Sequence, residues 1–129
     1  LIGKTATEKA HITQWLMFQM GGRGPRLGQL GFFYKFAGSE WEDKRPQDRY
    51  INEGTRLLAV LENALEGKEW IADDYSIADI AIAPWLGALE FYGAKEVLGW
   101  ADHKNLVAYL DRIRARPAVQ KGMTIPARD

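Results

Sequence analysis

A chain of 129 residues has room for one domain around a single core. Seventeen Lys and Arg are balanced by seventeen Asp and Glu, so no global field holds a polyanion, and nucleic acid is set aside as a partner. The absence of cysteine excludes disulfides, thiolate metal ligands and a thiol nucleophile of the chain's own.

The longest apolar stretch, Ile77 to Leu86, contains Asp79 and is about half the ~20 residues that a membrane span requires. No membrane partner is expected. The chain opens at Leu1 without a secretory pattern, and the expectation is a cytoplasmic protein of which this chain is an excised or processed part.

Several segments carry a helical hydrophobic period, and none alternates in strand fashion between turn signals. From Thr5 to Met20, Ile12, Leu16 and Met20 form one stripe, with Trp15, Met17 and Phe18 widening it. A helix so broadly apolar faces two neighbours. Gly21-Gly22-Arg23-Gly24-Pro25 is expected to stop it with a tight turn, and a short helix or turn follows from Arg26 to Phe36. Asp43 to Pro46 reads as a polar hinge. A long amphipathic helix from Gln47 to Glu66 carries Tyr50, Leu57, Leu58, Leu61 and Leu65 at helical spacing, and Gly67 ends it.

The next helix, Ile77 to Tyr92, has the strongest start signal. Ser76 stands at the N-cap and Asp79 at N3, a capping box in which hydroxyl and carboxylate satisfy amides of the first turn. Tyr75 and Ile80 have the spacing of a hydrophobic staple. This helix is apolar on nearly all sides, as a central buried helix should be. Pro84 inside it removes the amide that would bond the Ile80 carbonyl, which predicts a kink. Lys95 to Trp100 reads as a turn or two. Lys104 to Arg116 forms the last regular helix, with Leu106, Tyr109, Leu110 and Ile113 inward and arginines at its negative end. One more turn follows Pro117. The predicted fold is all-α, a bundle of about five or six helices around the capped one.

Few residues suggest chemistry on their own. Glycines at 21, 22, 24 and 28 do not make a dinucleotide fingerprint, because Leu27 stands where the third glycine is needed and no strand precedes. His11 and His103 each stand alone, so no metal site is expected. Arg49 lies near the positive end of the long helix, where a basic group does little for the dipole. Its guanidinium can serve a carboxylate ligand or pair with a neighbour such as Glu53, and both readings stand. The aromatic run Phe32-Phe33-Tyr34-Lys35-Phe36, with Trp15, Phe18 and Trp41, reads mainly as core, with some available to an interface.

Three stretches in this order resemble the C-terminal domain of glutathione transferases, most closely the bacterial nu-class-like group with disulfide-bond reductase activity. They are Gln14-Trp15-Leu16-Met17-Phe18-Gln19-Met20-Gly21-Gly22-Arg23-Gly24-Pro25, Asp48-Arg49-Tyr50, and Tyr75-Ser76-Ile77-Ala78-Asp79-Ile80-Ala81 with Pro84-Trp85. Arg114 to Val119 also looks like the family's last helices, so the resemblance covers essentially the whole chain.

The resemblance implies a homodimeric subunit with an N-terminal thioredoxin-like domain that binds glutathione and promotes its thiolate, the nucleophile for conjugation or thiol exchange. That domain is absent from this chain, which by itself would be inactive and would hold no catalytic residue. By the same resemblance, Arg49 matches a residue that contacts glutathione, often across the dimer. Trp15, Phe18, Gln19 and Met20 match the wall of a pocket for a small hydrophobic electrophile or disulfide. Ser76 and Asp79 match the folding motif. Gln29-Leu30-Gly31-Phe32-Phe33 departs from relatives that carry polar and histidine residues there, which makes the pocket mouth more apolar. A helical module of the same fold, used only for association and without catalysis, is the alternative.

Overall fold

The computed structural model describes residues 1–126, and among them the regular structure is entirely helical. Six α-helices follow in order: α1 (Ala6–Met17), α2 (Gly24–Tyr34), α3 (Arg45–Ala64), α4 (Ile77–Tyr92), α5 (Lys104–Arg114) and α6 (Pro117–Met123). A π-helical segment, Phe18–Arg23, joins α1 to α2, and short 3-10 turns lie at Ala37–Glu40 and Trp100–Asp102.

The apolar spacing of the sequence becomes the core. Leu57, Leu58 and Leu61 of α3 are buried, as is Leu65 just past its end, and so are Leu106, Tyr109, Leu110 and Ile113 of α5. α4 buries Ala78, Ile82, Ala83, Leu86 and Leu89 and packs against α1, α2 and α5. The expected central helix is therefore present. It passes through Pro84 as a single helix and ends at Gly93 in the left-handed conformation, which a residue without Cβ adopts freely. At Gly31 the approach of α2 to α4 is so close that a Cβ would lie 2.6 Å from the Tyr92 ring.

The N-terminus of α4 carries the capping box. The Ser76 hydroxyl accepts from the Ala78 amide at 3.3 Å, and the Asp79 carboxylate accepts from the Ser76 amide at 2.8 Å. The staple takes a different form. Ile80 is 45% exposed, and Tyr75 instead packs edge-on against Trp70 at 4.9 Å, with the Arg116 guanidinium 3.7 Å over its ring. An aromatic partner and a cation cover more of the tyrosine than one isoleucine could.

The glycine cluster does not stop the first helix. The backbone widens into the π-segment, in which the Gly24 amide bonds to the Gln19 carbonyl five residues back, and then continues directly as α2. Pro25 is tolerated because it falls in the first turn of α2, where its missing amide is not required.

Candidate functional site

Arg49 sits in the first turns of α3, whose start is positioned by Tyr50: its ring stacks on Phe33 of α2 at 5.5 Å with only 10° between planes. Beside this stack, α2 and α3 enclose a cleft of about 640 Å³ lined by Pro25, Arg26, Gln29, Arg49, Tyr50, Asn52, Glu53 and Arg56. Its charges are unequal. Glu53 accepts two bonds from Arg56, at 2.8 and 2.9 Å, and has Arg26 at 3.4 Å. The Arg56 hydrogen bonds, with the charges of Arg56, Arg26 and Arg49, hold its carboxyl below the ordinary value. One carboxylate thus faces three guanidiniums, and Arg49 is exposed with no ion pair among the described residues. The pairing with Glu53 that the sequence left open has gone to Arg56 and Arg26. Arg26 is steadied from its other side by the carbonyls of Gly21 and Gly22, at 3.2 and 3.3 Å.

An exposed guanidinium in a polar cleft with surplus positive charge suits an anionic ligand, above all a carboxylate that it can grip with two parallel bonds.

The four residues matched to a second pocket are divided by the π-segment. Trp15 and Phe18 are half-buried and meet edge to face, ring centres 5.5 Å apart. The Trp15 indole donates to His11 Nε2 at 3.3 Å, and His11 Nδ1 lies 3.4 Å from Asp73. Met20 is 57% exposed. Gln19 turns the opposite way: it is wholly buried, and its side-chain oxygen accepts from Arg23 Nη1 at 2.6 Å. None of the four lines the arginine-rich cleft.

Asp79 collects more than its cap. Besides the Ser76 amide it accepts from the Ser76 hydroxyl at 3.2 Å, the Ile71 amide at 3.1 Å and the Tyr109 hydroxyl at 2.7 Å, all buried. This is a structural hub with no exposure to a ligand. Among the described residues no group of three or more His, Asp or Glu is placed to hold a metal, and no helix is long and apolar enough to cross a membrane.

Arg23 and Arg26 were not marked by the sequence reading. Arg23 lies in a stretch that looks like a turn, where a buried cation is not expected. The pairing of Arg26 with Glu53 across two helices has no local signature.

Residues 28–117 match the family described as glutathione S-transferase, C-terminal domain. The chain is similar to a glutathione transferase from Pseudomonas putida, solved with one glutathione disulfide bound per subunit: TM-score 0.96 and 50% identity, covering 98% of this chain and 56% of that one. A glutathione transferase from Burkholderia graminis, solved with two glutathione molecules per subunit, gives a TM-score of 0.95 and 54% identity over 100% of this chain and 55% of that one. The disulfide-bond oxidoreductase YfcG of Escherichia coli is 36% identical over 123 residues, 90% of this chain and 52% of its own. The chain spans about half the length of the curated relatives it matches.

Proposed function

The chain belongs to the glutathione S-transferase family through its C-terminal domain, and on that premise we propose that it is the helical half of a glutathione-dependent enzyme. In this reading an N-terminal thioredoxin-like domain of the same subunit binds most of glutathione and generates its thiolate. The helical domain supplies Arg49 to a glutathione carboxylate, across a homodimer interface, and walls the pocket for the second substrate with Trp15, Phe18 and Met20. The subunit works in the cytoplasm.

The observation that carries the proposal is the Arg49 guanidinium, without an ion pair among the described residues, in a cleft where three arginines face a single carboxylate. Glutathione brings two carboxylates, and the solved relatives from Pseudomonas putida and Burkholderia graminis hold glutathione disulfide and glutathione respectively.

The thiolate then has two uses. Attack on an electrophilic carbon forms a C–S bond and expels the leaving group with its electron pair. Attack on a disulfide forms a glutathionyl mixed disulfide and releases the other sulfur as a thiolate. In both, holding thiolate and partner in one cleft replaces an encounter with a positioned approach.

Arg49→Ala in the complete subunit tests the reading. Glutathione affinity should fall about tenfold or more, as expected for a hydrogen bond to a charged group worth ~1.5–3 kcal/mol. The melting temperature should hardly move, because Arg49 is exposed and has no ion pair among the described residues. Unchanged affinity would remove Arg49 from the site.

A further inference from the structure

We infer that Arg23 is a positioning residue for the second-substrate pocket: from inside the fold, its guanidinium fixes the π-segment that sets the direction of Trp15, Phe18 and Met20. The inference rests on the reading of those three residues as that pocket's wall.

Arg23 is the last residue of the π-segment and is 0% exposed. Its Nη1 donates to the side-chain oxygen of Gln19, in the same segment, at 2.6 Å, and to the carbonyl of Ile82 in α4 at 3.1 Å. One nitrogen therefore ties the wide turn to the central helix, two residues before Pro84. The rest of the group is poorly served. Among the described residues Nε and Nη2 have no partner, the Gln19 side-chain nitrogen has none either, and no carboxylate pairs with the charge. Burial pushes the guanidinium down to about 9, with Tyr109 opposing the shift, and it stays charged at neutral pH.

A buried cation without a paired carboxylate among the described residues is costly to hold. Replacing buried charges by apolar groups of similar volume is commonly neutral or stabilising. What Arg23 provides is geometry. A π-turn holds one residue more than an α-turn, and such insertions recur at functional sites. If the segment relaxed to α-helical bonding, the chain before it would rotate by about 100° relative to α2 and α4, one residue's turn of an α-helix. Trp15 and Phe18 lie before or within that rotation, and Met20 inside it. The tight packing next to the turn agrees: a Cβ on Gly24 would lie 2.7 Å from the Gln19 side-chain nitrogen and 3.4 Å from Trp85, so α2 begins against the very group that Arg23 holds.

The test compares Arg23→Met with Arg23→Lys in the complete subunit, by crystal structure and by kinetics with glutathione plus chlorodinitrobenzene or bis(2-hydroxyethyl) disulfide. Arg23→Met should lose the bond from the Gly24 amide to the Gln19 carbonyl and raise KM for the second substrate about tenfold while KM for glutathione holds. Arg23→Lys, which keeps a donor for the Ile82 carbonyl, should restore the turn and most of the lost KM. An unchanged π-turn in Arg23→Met overturns the inference, as does a lysine variant no better than methionine or two KM values that move together. A parent protein without glutathione-dependent turnover would instead contradict the proposed function, and the register of the turn in Arg23→Met would still decide the role of Arg23.

Discussion

Asp79 shows how a local signal becomes a tertiary one. Ser76 and Asp79 are readable as a cap because they stand only three positions apart, whereas the bonds from the Ile71 amide and the Tyr109 hydroxyl join parts of the chain that no local pattern connects. The two cap residues should therefore not be equal. Ser76→Ala should cost about 1 kcal/mol, the usual loss of a cap hydroxyl. Asp79→Ala strands several buried donors and should cost about 3 kcal/mol or more, both read by urea unfolding. Tyr109 gives a pH signature. Burial, then the adjacent Asp79 carboxylate, pushes its phenol well above the ordinary value. The unfolded chain releases that proton near pH 10, the ordinary tyrosine value, while the folded chain keeps it. Stability should thus fall as pH rises above about 10, by up to ~1.4 kcal/mol per unit. Tyr109→Phe should lack that slope. Arg23, whose lowered value contributes the opposite slope, is present in both proteins.

At the level of elements, helix period and caps located α3, α4 and α5 to within about two residues, the usual uncertainty of helix ends. The junction of α1 and α2 was misread because glycine and proline mark where a helix can stop, not where it must. A π-turn accepts glycines, and proline in a first turn is harmless. α5 starts at Lys104, where the sequence placed it, but the group that caps it was opaque. The helix has no side-chain cap of its own; Glu62 of α3 accepts from the Asn105 and Leu106 amides at 3.0 and 2.9 Å. A carboxylate from another helix thus does the work of a local cap and meets the positive end of the dipole. Glu62→Ala should cost about 1 kcal/mol, and amide exchange should rise first at Asn105 and Leu106. Gly31→Ala tests the contact between α2 and α4. With Tyr92 in the way of the new Cβ, a loss of about 1–3 kcal/mol is expected, and thermal unfolding at or above the parent's temperature would show that the ring simply moves aside.

For the whole molecule, the core was legible and the candidate cleft only in part. Burial follows a period that repeats along each helix, so Leu57, Leu58, Leu61 and Leu65 announce themselves. A cleft between two helices depends on which arginine of one meets which carboxylate of the other, and pattern alone left Arg49 and Glu53 either paired or apart. The fold decided it by giving Glu53 to Arg56 on the same helix and to Arg26 of α2. The resemblance carried the rest, and the match over residues 28–117 establishes the family. The proposed division of labour places thiolate generation in one domain, and the carboxylate grip and the second-substrate wall in the other. Titration calorimetry with glutathione, on the complete subunit and on this 129-residue domain, tests that division most directly. Saturable binding to the complete subunit, weakened by Arg49→Ala, with none detectable on the domain alone, is the expected result. Equal affinity for both proteins, or a complete subunit that does not bind glutathione, would contradict it.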